Sequence, residues 1–155
     1  MEYMIVKWLH ILSSTFLFGT GIGSAFYMLF TSLSRDVRAI AVVSRHVVLA
    51  DWIFTSTTII VQPVTGLYMM HLAGLPFSST WISWSIGLYF LAGACWLPVV
   101  WIQLKMRDMA QVAARDGATT LPEQYWRYLR IWTVLGIPAF FALVVIFWLM
   151  VAKPA

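Results

Sequence analysis

The chain has 155 residues, of which 61% are hydrophobic, 16% aromatic and only 10% charged, and its mean hydropathy is +0.83. A soluble domain of this size could not bury so much apolar surface, so the composition excludes a soluble globular protein and indicates one integral membrane domain, residues 1–155. The formal net charge of +4 comes from basic residues clustered between apolar segments, which is a topology signal and excludes a nucleic-acid-binding footprint.

Four apolar segments are long enough to cross a bilayer, which requires about 20 residues for each crossing. They predict transmembrane helices over residues 4–31, 47–70, 81–104 and 131–152. The predicted fold class is therefore an all-α membrane protein, a bundle of four transmembrane helices.

The basic residues are unevenly divided between the two sides of this bundle. Eight of the ten lie in the two connections 32–46 and 105–130, and only Lys7 and Lys153 lie on the other side. The positive-inside rule then predicts a multi-pass protein of the bacterial inner membrane with both termini in the periplasm. The expected partner is the lipid bilayer, with no nucleic acid; assembly as a homo-oligomer or within a larger membrane complex is left open.

Helix 1 carries an ionisable side chain, His10, about two turns below the outer surface. An ionisable group at that depth is unfavourable unless something uses it, so His10 is a functional candidate. With 100° per residue, Ser14 and Gly21 lie almost under His10, and small residues leave room for a flat ligand or a neighbouring backbone. Helix 1 is therefore predicted to be the central helix of the bundle.

Helix 2 carries a polar stripe through the depth of the membrane. Its members fall within about 40° of one line and are Asp51, Thr55, Thr58, Gln62 and Thr65. Such a stripe should face the bundle interior rather than lipid. Two interpretations are open: hydrogen bonding between helices, or a water or proton path from Asp51 towards the outer half.

A six-coordinate b-type haem requires a buried histidine and a second histidine or methionine at similar depth. His10 meets the first requirement, and Met69 and His71 of helix 2 are the candidates for the opposite axial position. Ser14 and Gly21 would line the haem face. His46 lies about a full membrane thickness away beside Arg45, and is predicted to be a solvated interfacial histidine.

Two resemblances bear on this site. The opening Lys7-Trp8-Leu9-His10-Ile11 and the closing segment 144–154, which ends in Lys153-Pro154, resemble the HemJ-type protoporphyrinogen oxidases. Segments 18–21, 50–54 and 62–67 are similar to an uncharacterised family of four-helix predicted bacterial integral membrane proteins (DUF2269-like), over essentially the whole chain.

The HemJ resemblance implies a b-type haem whose iron is bound by a histidine of the first helix, which corresponds to His10. It also implies a lysine early in helix 3, and residues 81–87 contain none. The predicted function is therefore a haem-b-binding inner-membrane protein of the HemJ-like type, with a redox or porphyrin-related role, and whether it is an enzyme is left open.

Two alternatives are kept beside the haem hypothesis. In the first, the protein is a cofactor-free structural or accessory membrane subunit whose His10 bonds to a neighbouring helix. In the second, it is a proton or small-solute path along Asp51, Thr55, Thr58 and Gln62. No catalytic residue is predicted, because the sequence offers no paired carboxylates, no phosphate-binding loop and no nucleophile with a base.

Overall fold

The computed structural model describes residues 1–154, which form five α-helices and one π-helical segment with no strand among them. Ala155, the last residue of the predicted domain, lies outside the described residues. The elements are α1 (Glu2–Leu33), α2 (Val37–Ala50), the π segment (Asp51–Thr55), α3 (Ser56–Ala73), α4 (Thr80–Arg115) and α5 (Glu123–Ala152).

Four helices of residues 1–154 are long and apolar enough to cross a membrane, because α2, the π segment and α3 continue as one rod, Val37–Ala73. The predicted all-α, four-helix fold class is confirmed. Each helix is longer than its predicted span, since the polar sequences beside the apolar segments extend the helices past the hydrocarbon. The extension of α2 is amphipathic, and its apolar face is buried.

The ends of the helices follow from local chemistry. Asp36 caps α2, accepting backbone N–H bonds from Arg38 at 2.9 Å and Ala39 at 3.1 Å. The rod ends at Gly74 and α4 is followed by Gly117; both glycines have positive φ angles, +62° and +69°, which glycine adopts without a side-chain clash.

The rod, rather than α1, is the central element of the bundle, so the prediction for helix 1 is wrong. Helix α1 packs against α2, the π segment and α3, while α4 packs along α5 and against α2. The α1–α3 pair and the α4–α5 pair therefore approach most closely where α2 packs on α4, and elsewhere they meet through single side-chain contacts. The helical period identifies which faces of α1 carry small residues. It does not identify which neighbouring helix packs on each face.

The hydrophobic core lies at one end of the bundle. We call this the basic end; it holds the turn 34–36, the last turns of α4 and the turn 116–122, and the opposite end, with both termini and the turn 74–79, is the terminal end. Met106 and Tyr125 at the centre of the core are fully buried. The Tyr125 hydroxyl and the Ser32 hydroxyl are hydrogen-bonded at 2.7 Å, which joins α1 to α5.

Exposed tryptophans mark two levels along the bundle. On α4, Trp84 is 63% exposed and Trp101 is 53% exposed, and about 17 residues of helix separate them by roughly 26 Å. That separation is close to the thickness of a bilayer's hydrocarbon core, and tryptophan is enriched at both membrane surfaces. Exposed Trp8 and Trp52 lie towards the terminal and basic levels respectively.

Candidate functional site

The polar face of the rod begins with a hydrogen-bonded carboxylate. The Thr55 hydroxyl donates to Asp51 Oδ1 at 2.8 Å, and the Gln103 side-chain amide donates to Asp51 Oδ2 at 2.5 Å. Gln103 in turn accepts a 3.0 Å bond from the indole N–H of Trp132. One carboxyl group thus connects the rod to α4 and, through Gln103, to α5.

All of these partners of Asp51 are neutral. The one ion pair among residues 1–154 joins Arg107 to Asp108, on the exposed surface of α4. Asp51 therefore has no cationic partner in the described part of the chain, and only hydroxyl and amide dipoles meet its charge when it is ionised. An acidic side chain near the hydrocarbon with neutral partners is the type of group that proton pathways use.

The π segment places Asp51. Its carbonyl accepts the backbone N–H of Ser56, five residues ahead, so this turn of the rod is wider than an α-helical turn. Single π-helical turns inside α-helices occur frequently at functional sites. The helical period of 100° per residue does not predict this turn, because that period describes a regular α-helix and not the wider π turn.

A small cleft lies directly beside the carboxylate. Asp51 and Gln103 line it together with apolar and indole side chains of the rod and α4, including Trp52 and Trp96. The space admits about one water molecule. A single water in this cleft could therefore hydrogen-bond to the Asp51 carboxylate.

His10 lies towards the other end of the same polar face. Its Nδ1 is 2.8 Å from the Thr65 hydroxyl, and its Nε2 is 3.1 Å from the side-chain nitrogen of Gln62. The ring edge rests on Gly66, where an added Cβ would be 3.2 Å from Cε1 of His10. Glycine at this position is what lets α1 and α3 approach with an imidazole between them.

The hydrogen-bond directions around His10 follow from its neighbours. In the tautomer with Nδ1 unprotonated, the Thr65 hydroxyl would donate to the ring. When the hydroxyl instead donates to the carbonyl of Val61 at 2.7 Å, it accepts from His10 and Nδ1 carries the proton. The amide nitrogen of Gln62 then donates to the lone pair of Nε2. Both ring nitrogens of His10 are thus occupied by side chains of α3.

Two buried side-chain atoms near His10 have no hydrogen-bond partner within residues 1–154: Ser13 Oγ and Gln62 Oε1. Ser13 follows His10 by one turn of α1, and α1 runs antiparallel to α3, so Ser13 lies at about the level of Thr58 to Gln62. Buried polar groups without a protein partner are normally satisfied by water. These two atoms are therefore the polar groups below His10 that a buried water could bind.

Pro63 releases a backbone carbonyl of the rod, which then bonds to a neighbouring helix. Proline has no N–H, so the carbonyl of Ile59, four residues earlier, loses its helical partner. The Tyr89 hydroxyl of α4 donates to that carbonyl at 2.5 Å. Tyr89 was not singled out from the sequence, although a proline in a membrane helix indicates that some neighbour must satisfy the released carbonyl.

The other residues proposed for a haem site do not gather around His10. The Ser14 hydroxyl donates to the carbonyl of Ile11 in its own helix, and a Cβ at Gly21 would meet nothing within 4 Å. His71 is exposed and Met69 is half-buried, and neither hydrogen-bonds to His10.

An iron atom bound by a histidine nitrogen lies about 2.0–2.1 Å from it, the distance known for zinc, and the Gln62 amide fills that position next to Nε2. The residues in this arrangement do not fit a haem ligated by His10.

The five residues of the polar stripe lie on one face of the rod. Thr55 and Thr58 are buried, and Asp51, Gln62 and Thr65 are half-buried. The Thr58 hydroxyl donates to carbonyls of its own helix, those of Phe54 and Thr55. His46 is exposed at the basic end.

Comparisons with known proteins give one match. A family model described as "Predicted integral membrane protein (DUF2269)" matches residues 4–154. No curated protein and no solved structure matches the chain. The likeness to HemJ-type protoporphyrinogen oxidases stays a prediction.

Proposed function

The chain belongs to the DUF2269 family of predicted integral membrane proteins, and from this premise we propose that it conducts protons through the bilayer along the polar face of the rod. The observation that carries the proposal is Asp51, a carboxylate at the start of a π-helical turn with neutral partners on both oxygens. Ionisable groups inside membrane proteins are unfavourable to bury and mark proton relays.

The path would begin at Asp51, near the basic edge of the hydrocarbon, and lead to His10, whose partner Thr65 lies 14 residues and roughly 21 Å further along the rod. Thr55 and Thr58 occupy the next two turns of the rod after Asp51, and Gln62 occupies the turn that reaches His10. Waters held by Ser13 Oγ and Gln62 Oε1 would lead from Thr58 to the His10 site, where the Gln62 amide would have to release Nε2 before a proton could enter the ring. Carboxyl, hydroxyl, imidazole and water groups can each accept a proton and pass one on, whereas the Gln62 amide would only hold a water between them.

A haem b at His10 is the second candidate, and one observation favours it. A metal-binding histidine commonly donates its other N–H to a protein oxygen, and Nδ1 of His10 lies 2.8 Å from the hydroxyl oxygen of Thr65. The Gln62 side chain would have to turn away from Nε2 before an iron could bind there. We place the proton path first because a haem at His10 would leave the Asp51 carboxylate and its neutral partners without a role.

The proton path can be tested in liposomes that contain the purified protein and a pH-sensitive dye. A potassium diffusion potential should drive proton entry, and Asp51→Asn should reduce it to the rate of protein-free vesicles, because an amide cannot carry the proton. The matched control is Asp108→Asn, an exposed carboxylate of α4, which should conduct like the parent protein.

Parent protein that conducts no better than protein-free vesicles would contradict the proton path and favour the accessory-subunit alternative. A visible absorption spectrum of the same preparation separates the haem candidate. A Soret band that is lost in His10→Ala would establish haem binding in place of proton conduction as the role of His10.

We further propose that both termini face the periplasm of a bacterial inner membrane, because eight of the ten basic residues lie at the basic end. A phosphatase reporter, active only outside the cytoplasm, should be active when fused after Ala155. The same reporter fused after Gly117, in the turn at the basic end, should be inactive. The reverse pattern would overturn this orientation and leave the bundle itself unaffected.

A further inference from the structure

Gln62 and Gln103 are the two side-chain amides that bond to ionisable groups of the proton path, and only one of them is fixed in orientation. The oxygen of Gln103 accepts from the indole N–H of Trp132, a group that can only donate, so its nitrogen must face Asp51. The nitrogen of Gln62 lies 3.1 Å from Nε2 of His10, but its buried oxygen has no partner in the described part of the chain. No bond at that oxygen therefore holds the Gln62 amide in one orientation.

The imidazole of His10 is held more firmly than the amide that faces it. Its Nδ1 is 2.8 Å from the Thr65 hydroxyl, and its Cε1 lies against Gly66, where a Cβ would be 3.2 Å away. The Gln62 side chain ends instead in a torsion between an sp3 and an sp2 carbon, which has broad and roughly two-fold preferences. A half turn about this torsion exchanges an oxygen and a nitrogen of nearly equal size, so it requires little additional space.

A proton that binds the lone pair of Nε2 reverses what the His10 ring requires of Gln62. With Nδ1 protonated, neutral His10 presents a lone pair at Nε2, which the amide nitrogen satisfies. The cation carries N–H on both nitrogens, so the amide nitrogen would then set one donor against another. The half turn removes this conflict, because the unpartnered oxygen Oε1 accepts from Nε2–H. Thr65 accepts from Nδ1–H in the same state, while its hydroxyl donates to the carbonyl of Val61.

In the described part of the chain, no charged side chain competes with the Gln62 amide for the protonated ring. On α1, Lys7 is exposed and the Glu2 carboxylate accepts from the Tyr68 hydroxyl of α3. His71 is exposed about two and a half turns beyond Gln62 on α3. The amide oxygen is therefore the acceptor that the neighbouring helix offers to Nε2–H.

We propose that Gln62 is a positioning residue of the proton path, whose amide makes a half turn each time His10 gains or loses a proton. Gln62 itself carries no proton: it uncovers Nε2 and then stabilises the cation through Oε1. The role of this turn rests on the proposed proton path, whereas the turn itself can be observed in a protein that conducts nothing. In the turned state, a water bound to Ser13 Oγ, which also lacks a partner, would accept from the amide nitrogen.

The turn can be tested by magic-angle-spinning NMR of the full-length protein in liposomes, with isotope-labelled histidine and glutamine. The 15N shifts of the ring report the charge of His10, and His10→Ala assigns its signals. When His10 is neutral, the amide protons of Gln62 should contact Nε2. When both ring nitrogens carry protons, that contact should be lost, and a coupling across the hydrogen bond should join Nε2–H to the side-chain carbonyl carbon of Gln62.

The same amide contact in both charge states would overturn the proposal. A ring that takes up no second proton at any pH at which the protein stays folded would also overturn it, because such a ring needs no turning amide. This measurement uses the parent protein, so it decides the turn even if a variant fails to fold.

Proton entry into the dye-loaded liposomes tests the role of the turn. Gln62→Met keeps the length of the side chain but can neither donate an N–H nor accept through an oxygen, so conduction should fall about tenfold, as expected for losing a hydrogen bond to a buried charge. The control Gln111→Met, at a half-buried position of α4 outside the path, should conduct like the parent.

The two measurements separate this inference from the proton path itself. If Asp51→Asn abolishes conduction while Gln62→Met conducts like the parent, the role of Gln62 is overturned and the path remains. If the parent protein conducts no protons, the path and with it the role of Gln62 in conduction are overturned, and the NMR contacts decide whether the amide turns with the charge of His10.

Discussion

Replacing Gln103 with leucine is expected to lower the free energy of unfolding by about 2–3 kcal/mol. Gln103 is 3% exposed and is bonded on both sides, to Asp51 and to the indole of Trp132. Leucine fills a similar volume but leaves a carboxylate oxygen and an indole N–H without partners in a largely apolar surrounding. Unfolding by sodium dodecyl sulfate in mixed micelles, followed by far-ultraviolet circular dichroism, measures the change.

The matched control is Gln111→Leu, on the same helix about two turns later. Gln111 is half-buried and forms no hydrogen bond with any residue of 1–154, so this change should stay within about 0.5 kcal/mol of the parent. Asp51→Leu combined with Gln103→Leu should destabilise by less than the sum of the single changes, because the two residues share one bond. Equal effects at positions 103 and 111 would show that the cluster adds no stability.

Replacing Gly66 with leucine is expected to lower the free energy of unfolding by about 1–3 kcal/mol. The first added carbon would already lie 3.2 Å from the imidazole of His10, and the remaining carbons extend into the same space. Either α1 moves away from α3 or His10 leaves its bonds to Thr65 and Gln62. The same unfolding experiment measures the loss.

Gly136→Leu is the control for this change. A Cβ at Gly136 in α5 meets nothing within 4 Å, and leucine has a higher helix propensity than glycine, by up to about 1 kcal/mol. The control should therefore be as stable as the parent or more stable. A Gly66→Leu protein as stable as the Gly136→Leu protein would show that the imidazole can move without loss, and that the close approach of α1 and α3 is not needed.

The four membrane-spanning helices and the polar face of helix 2 could be predicted from the sequence, because both follow from composition and from the 3.6-residue period. The apolar lengths identified four crossings, and the spacing of Asp51, Thr55 and Thr58 identified one face of helix 2. The depth predicted for His10, at which Met69 was a candidate ligand, came within about two turns of its partners Gln62 and Thr65. The depth of a residue in the membrane can be predicted because it is counted from the ends of the apolar segments.

The residues of other helices that hydrogen-bond to the rod could not be predicted from the sequence in the same way. Gln103 stands two residues before Lys105 in the sequence, so it resembles a residue of the membrane surface, and nothing in α4 alone indicates that it faces Asp51. Tyr89 was missed for the same reason. Which face of one helix meets which face of another depends on the packing of the whole bundle, and the π segment changes the phase of the rod between Asp51 and Ser56.

The two helix pairs are held together unequally along the bundle, so a change in helix tilt would separate them first at the terminal end. Core packing and the Ser32–Tyr125 bond close the basic end, whereas the contacts of Tyr89 with Ile59 and of Phe18 with Phe140 lie in the middle part of the helices. Local opening is easiest where contacts are fewest. A thinner or thicker bilayer changes helix tilt, so lipid composition would widen or narrow the gap between the two helix pairs at the terminal end while the basic end stays fixed.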